Sequence, residues 1–284
     1  MSAAVQARVT AALGLPAGPL SPLGGGCVGD VFRTDLAGGR TVVVKAGDPG
    51  SALDVEGYML AALGQRSRLP VPGVLHAEDT LLVMDWIPNR GGLSTESQIH
   101  AADLLADLHA VTAPLFGLER DTLIGGLHQP NPPTPRWLDF FRDQRLLDMG
   151  RRALEAGRLP APFMGRLEAL AGRLDRYITE PARPSLIHGD MWTGNVLCDG
   201  PRIAGFIDPA IYFADPEIEL AFSTMFGTFG RAFFQRYNEH RPIAPDFFEV
   251  RRDLYNLYPL LVHVRLFGGS YVGSVDATLN RFGV

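Results

Sequence analysis

The 284-residue chain has only two cysteines, Cys27 and Cys198. They cannot build a disulfide framework, and they fit a reducing compartment. It also has no excess of positive charge: 26 Lys and Arg face 31 Asp and Glu, for a net charge of -5. That balance argues against a nucleic-acid partner, which would want a basic surface. No apolar run approaches the ~18 residues that suggest a membrane span. Residues 1–10 have neither the charged start nor the apolar core of a secretory leader. Repeats and low-complexity tracts are absent, and no G-x-x-x-x-G-K-[ST] stretch occurs, which argues against a P-loop fold. The expectation is a cytoplasmic globular protein without membrane or nucleic-acid partners. At 46% hydrophobic and 20% charged residues the composition is ordinary, and the length suffices for two lobes.

The first third reads as β-rich. Residues 4–13 suggest a helix, followed by a Pro/Gly break. Thr41–Lys45 is a β-branched run bounded by Gly38-Gly39, as in a hairpin strand ending in a lysine. Ser51–Gly64 has helical spacing, and Leu81–Met84 is a short apolar strand. Residues 85–92 have the character of a connector. Beyond it helices dominate: Thr95 and Gln98 suggest a capping box before a stripe of Ala101, Leu104, Leu105 and Leu108. Residues 118–135 read as loop. Further helices are predicted over 137–154, 163–178, 216–229, 231–239 and 247–266. Val196-Leu197 and Ile203–Ile207 flank a turn at Asp199-Gly200, giving one small hairpin in this part. The pattern predicts an α+β, bilobal architecture: residues 1–84 as a small β-rich lobe, 85–92 as a hinge, and 93–284 as a larger, mainly helical lobe.

The chemistry concentrates in His188-Gly189-Asp190-Met191-Trp192-Thr193-Gly194-Asn195, followed by Ile207-Asp208-Pro209. The Asp-to-Asn spacing is that of the protein-kinase catalytic loop, H-R-D-x-x-x-x-N, which a metal-binding Asp follows at a strand end. Moving the γ-phosphoryl group of ATP demands positioning and charge neutralisation rather than covalent chemistry. Mg²⁺ prefers hard oxygen ligands and keeps several waters. Asn195 and Asp208 are therefore the candidate metal ligands, and Asp190 is the candidate base for an acceptor hydroxyl. Gly189 permits a tight turn beside that carboxylate. His188 is expected to be structural, packed under the loop.

Lys45, at a strand end in the first lobe, can reach phosphates, and Glu56 on the next helix can brace it. Gly24, Gly25 and Gly26, with Gly29, form a candidate phosphate-covering turn that matches no standard glycine motif. Cys27 inside this turn is a candidate redox-responsive thiol.

These residues resemble the fructosamine-3-kinase (ketosamine kinase) family, within the aminoglycoside/choline phosphotransferase branch of protein-kinase-like folds. His188–Asn195 resembles the family's H-G-D-L-W-S-G-N with two conservative changes. Asp208-Pro209-Ala210 with Tyr212 resembles its D-P-A segment, and Gly24–Cys27 its nucleotide-loop opening. Gly125, Gln129-Pro130-Asn131, Trp137, Phe140-Phe141 and Arg145 resemble the stretch before a long helix. Leu266–Tyr271 resembles its C-terminal segment. The resemblance covers residues 20–282 and implies ATP and Mg²⁺ as cofactors. It also implies phosphorylation of the sugar 3-hydroxyl of ketosamines, free or on protein lysines, leading to deglycation. It assigns Asp190 as base, Asn195 and Asp208 to metal, Lys45 to phosphate, and Glu56 as its brace. Met84, Asp85, Trp86 and Ile87 become the adenine hinge. Trp192 becomes the wall of the acceptor site, with Asn131 and Trp137 also on the substrate side. Arg265 departs from the pattern, where an uncharged amide is expected, and bears on acceptor preference. Two alternatives stand: a phosphotransferase of the same fold acting on an aminoglycoside, choline or a sugar, and a non-catalytic nucleotide-binding module.

Overall fold

A computed structural model describes residues 2–24 and 30–284. Gly25, Gly26, Cys27 and Gly29, and the redox expectation for the Cys27 thiol, lie outside the described residues.

The smaller lobe is a five-stranded antiparallel sheet in the order β1-β2-β3-β5-β4: β1 Ser21–Pro22, β2 Asp30–Asp35, β3 Thr41–Ala46, β4 Val74–Glu78 and β5 Leu81–Asp85. The central β3, TVVVKA, is covered on both faces, which its β-branched run suits. Alternation divides its side chains. Val42, Val44 and Ala46 share one apolar cluster with Val5 and Val9 of α1 (Ser2–Leu13). Val43 joins Leu53 and Leu60 of α2 (Leu53–Arg66), together with Leu82 and Met84 of β5. Lys45 is thereby aimed at the α2 side. The helix starts at Leu53 rather than Ser51, because Ala52 holds a left-handed φ of 53° that no helical turn can include.

The larger lobe is built around α3 (Thr95–His109), α7 (Glu217–Met225), α8 (Arg231–His240) and α9 (Arg252–Phe267). The α3 cap is one residue off the expected position. Ser94 and Ser97 exchange side-chain bonds with each other's backbone N–H, at 3.2 and 2.8 Å. Gln98 instead accepts from Gly230 N at 2.7 Å. Residues 137–155 form one helical stretch, with α4 (Trp137–Phe140) passing through a π-helical segment, Phe141–Leu147, into α5 (Asp148–Glu155). Helix α6 (Pro162–Ala171) stops short, and Leu174 lies in a separate 3₁₀ turn. The helix expected over 216–229 ends at Met225, and a further helix, α10 (Ser270–Arg281), follows α9.

The span expected as loop holds a hairpin, β6 (Thr122–Ile124) and β7 (Leu127–Gln129), with Ile124 opposite Leu127. Its two turn residues, Gly125 and Gly126, both have positive φ, 54° and 78°. A two-residue turn with that signature matches the right-handed twist of the strands, and glycine adopts it freely. Four more short strands frame the motif-bearing loops: β8 (Ser185–Ile187), β9 (Val196–Asp199), β10 (Arg202–Phe206) and β11 (Tyr212–Ala214).

Candidate active site

Two antiparallel pairings bring the halves of the motif together. β8 pairs with β11, setting Ile187 opposite Tyr212, and β9 pairs with β10, setting Val196 opposite Phe206. His188–Asn195 leaves β8 and enters β9; Asp208 lies between β10 and β11. Ala210 N donates to His188 O at 2.7 Å and Ile207 N to Asn195 O at 3.1 Å. This close approach requires glycine at 189: its φ is 86°, and a Cβ there would lie 2.1 Å from Ala210 O. His188 is fully buried. It donates from Nε2 to Ile207 O at 3.1 Å and accepts at Nδ1 from Asp190 N at 3.3 Å. Burial pushes its pKa below the ordinary histidine value, so the ring is neutral.

Asn195 is the clasp of the loop. Its Nδ2 donates to Asp190 Oδ2 and to Asp190 O, both at 2.9 Å, and approaches Asp208 O at 3.5 Å. With the amide nitrogen so engaged, Oδ1 has no hydrogen-bond partner among the described residues. Asp208 sits at φ 53°, an uncommon conformation for a residue with a side chain, and its Oδ1 reaches Lys45 Nζ at 2.6 Å. Lys45 also donates to Glu56 Oε1 at 2.7 Å. Burial alone would lower the Lys45 pKa, but the two carboxylates outweigh it and hold the ammonium above its ordinary value. Asp190 shows the opposite balance. Burial, with Asp208 nearby, pushes its carboxyl up to about 7, against the opposing bond from Asn195.

These groups face one cleft between the lobes, a cavity of ≈ 450 Å³. Lys45, Glu56, Asp190, Trp192, Asn195 and Asp208 line it, as do Gly24 and the run Met84, Asp85, Trp86, Ile87. The connector seats the sheet on the helical lobe: Arg90 N donates to Cys198 O, and Gly200 N donates to Arg90 O. Among the described residues no group of three or more His, Cys, Asp and Glu side chains could hold a metal ion. Asn195 Oδ1 and the Asp208 carboxylate instead offer two hard oxygens beside a lysine. That set suits a Mg²⁺ completed by phosphate oxygens and water rather than by a protein cage.

Comparison with known proteins gives the family. Residues 1–282 match the family model for fructosamine kinase. The chain belongs to the fructosamine kinase family. A probable ketoamine kinase of Synechocystis sp. is 38% identical over 236 residues, 79% of this chain and 76% of its own. The crystal structure of a candidate fructosamine-3-kinase from Thermobifida fusca YX-ER1 superposes with a TM-score of 0.85 at 34% identity, covering 97% of each chain. A thermostable mutant of the aminoglycoside phosphotransferase APH(4)-Ia, 19% identical and covering 99% of each chain with a TM-score of 0.66, shares the fold. The α+β, bilobal, protein-kinase-like architecture and membership among the phosphotransferases are thus established for this fructosamine kinase family member.

Two residues expected on the substrate side are not in the cleft. Trp137 is fully buried, stacked between Phe140 and Phe141, with its indole N–H on Tyr255 Oη at 3.0 Å. Asn131 is 1% exposed and bonds Thr122 Oγ1 and the Arg145 guanidinium. Large aromatic area and a fully bonded amide were better satisfied in the core than at a solvated wall. Asn131 braces the β6–β7 hairpin through Thr122, and it is the hairpin's tip, Gly125-Gly126, that lines the cleft. Arg265 is half-buried in the last turn of α9, next to Leu266, which packs against Gly125.

A buried relay that no motif announced supports the turn at Gly189. Glu219 on α7 accepts the Gly189 N–H at 2.7 Å through Oε1. Its Oε2 meets His109 Nε2 at 2.7 Å, and His109 Nδ1 meets Tyr237 Oη at 2.7 Å. Three helices thus hold the turn that presents Asp190. The available signal was a carboxylate inside an apolar helix, Ile218-Glu219-Leu220-Ala221-Phe222, because an unpaired buried carboxylate is too costly to keep.

Proposed function

We propose that this kinase transfers the γ-phosphoryl group of ATP to the 3-hydroxyl of a ketosamine, a sugar carried on an amine through a ketoamine linkage. The acceptor is a fructosamine or ribulosamine, free or on a protein lysine. The phosphorylated product is unstable and releases the amine, which makes the reaction a deglycation. The observation that carries this reading is the convergence of Lys45, Asp190, Asn195 and Asp208 on one cleft, with Trp192 beside them. The family match supports the acceptor, and the aminoglycoside phosphotransferase of the same fold was solved with AMP-PNP and hygromycin B.

In this reading residues 1–84 are the nucleotide lobe, 85–92 the hinge and 93–284 the catalytic lobe. Met84–Ile87 receive the adenine, and Gly24 covers the phosphates. Lys45, fixed by Glu56, neutralises phosphate oxygens. Asn195 through Oδ1 and Asp208 through its carboxylate would hold Mg²⁺, which supplies charge neutralisation when bound. Asp190 orients the acceptor hydroxyl and takes its proton as the new O–P bond forms. A carboxyl titrating near 7 is a poised base at neutral pH. The Trp192 ring offers an aromatic face to the sugar's C–H surface.

A substrate panel tests the proposal. With ATP and Mg²⁺, ribulosyl-lysine and fructosyl-lysine should be phosphorylated and then release lysine, whereas choline and aminoglycosides should not react. Turnover of choline or an aminoglycoside in preference to both ketosamines would contradict it.

A further inference from the structure

An aromatic run leaves the cleft beside the candidate base. Trp192, two residues from Asp190, meets Phe226 at a ring-centroid distance of 6.1 Å, and Phe226 meets His263 at 5.2 Å. His263 in turn contacts Phe267 at 5.7 Å and Tyr271 at 4.8 Å, and these two lie 6.2 Å apart. Three of these rings are unusually open for their size: Trp192 is 37% exposed, Phe226 42% and Phe267 54%. Large exposed apolar groups scattered singly are ordinary, but a contiguous set running from a ligand cleft marks a binding surface.

At the centre of the run His263 donates from Nδ1 to Pro259 O at 2.7 Å. A carbonyl can only accept, so Nδ1 carries the proton and Nε2 presents a lone pair, with no hydrogen-bond partner among the described residues. Burial also pushes the ring's pKa down, which favours this neutral form. The surface therefore combines π-faces with one acceptor nitrogen and no cationic ring. That combination suits an organic ammonium: aromatic faces attract the charge and the lone pair takes an N–H.

We propose that Phe226, His263, Phe267 and Tyr271 form a subsite for the amine side of the acceptor, receiving the protonated nitrogen and the group that it carries. The proposal rests on the ketosamine reading above and deepens it. A ketosamine's secondary amine is cationic at neutral pH, and the rings that continue from Trp192 through Phe226 and His263 offer it aromatic faces. The subsite thereby ranks acceptors by their amine substituent. Planar or apolar groups are preferred over short hydrophilic ones, while the phosphoryl-transfer groups remain indifferent to it.

The test compares N-benzyl fructosamine with 1-deoxyfructose, which lacks the nitrogen and its substituent. Phe226→Ala and Phe267→Ala, separately and together, alter exposed rings. The double variant should raise KM for N-benzyl fructosamine about tenfold, equivalent to ~1.4 kcal/mol, with kcat within about twofold. The inhibition constant of 1-deoxyfructose should stay within about twofold. Phe267→Trp, which keeps a π-face, should restore most of the loss in a single-site background. An unchanged KM for N-benzyl fructosamine, or an equal rise for both sugars, would overturn the subsite while leaving the kinase reading intact. A dimer that Phe267→Ala dissociates, with KM unchanged, would overturn it in favour of a second copy as the occupant. No turnover of any ketosamine by the unaltered protein would overturn the function and the subsite together.

Discussion

Lys45 Nζ lies 2.6 Å from Asp208 Oδ1, although 163 positions separate the two residues in the chain. The contact spans the cleft, joining the central strand of the sheet to the β10–β11 connection of the helical lobe. Glu56 completes the arrangement from the other side at 2.7 Å. One ammonium thus neutralises two carboxylates, one from each lobe.

Lys45→Ala removes that charge. Because Lys45 is 6% exposed, its loss leaves Glu56 and Asp208 facing each other unpaired. Activity should fall by about 10²-fold or more, the scale for losing one transition-state charge partner. Thermal melting should also drop, since breaking a buried pair costs about 3–5 kcal/mol at most sites. Glu56→Gln, which keeps a hydrogen-bond acceptor, should cost less activity. Steady-state kinetics and calorimetry on both variants check this ordering.

Asp190 links activity to stability. Its carboxyl titrates near 7 in the fold and near 3.9 in an unfolded chain. The native state therefore keeps a proton that the unfolded state releases, and Asp190's contribution to stability declines as pH rises from about 4 to about 7. Asp190→Asn should melt at a higher temperature than the unaltered protein at pH 8, with the difference vanishing near pH 4. The same variant should lose about 10²- to 10⁴-fold in kcat. In the unaltered protein kcat/KM should rise with pH through about 7 and then level, as the base deprotonates.

Gly189→Ala tests the turn beneath the base. A Cβ would meet the Ala210 carbonyl at 2.1 Å, and the φ of 86° is foreign to alanine. The variant should be destabilised by ~2 kcal/mol or more and lose activity. Gly14→Ala is the control: its φ is +64° with nothing within 4 Å of a Cβ, so it should cost about 1 kcal/mol and spare activity.

The buried relay gives a further prediction. Glu219→Ala should leave Gly189 N and His109 without their acceptor and lower kcat about 10- to 100-fold. Losing a buried charged hydrogen bond costs ~2–3 kcal/mol. If Glu219 instead only filled space, Glu219→Leu would keep full activity.

How much of this was legible follows from where the information sits. That Asp190, Asn195 and Asp208 share one cleft was readable because their spacing is short and the strands between them are brief. The lobes were readable because β-branched runs stop near Asp85 and helical periodicity starts at Thr95. The Lys45–Glu56 contact was readable because helix α2 follows the lysine strand directly. The β6–β7 hairpin was missed since three-residue strands carry almost no alternation, and only the Ile124-Gly125-Gly126-Leu127 signature marked it. Trp137 and Asn131 were misplaced for a different reason. Which aromatic faces a ligand and which faces the core depends on tertiary packing, and the buried neighbours Phe140, Phe141 and Arg145 lie on the same helical stretch. The Tyr237–His109–Glu219 relay joins three helices, so no local window contains it.

The most direct measurement is the fate of the phosphoryl group. Ribulosyl-lysine or fructosyl-lysine, incubated with the protein, ATP and Mg²⁺, should gain one phosphoryl group by mass. NMR should place it on the sugar 3-hydroxyl, and the product should form about 10²-fold or more slowly with Asp190→Asn and not at all without Mg²⁺. Adduct formation that persists undiminished in Asp190→Asn, or a phosphate found on another acceptor while the ketosamine is returned unchanged, would contradict the account.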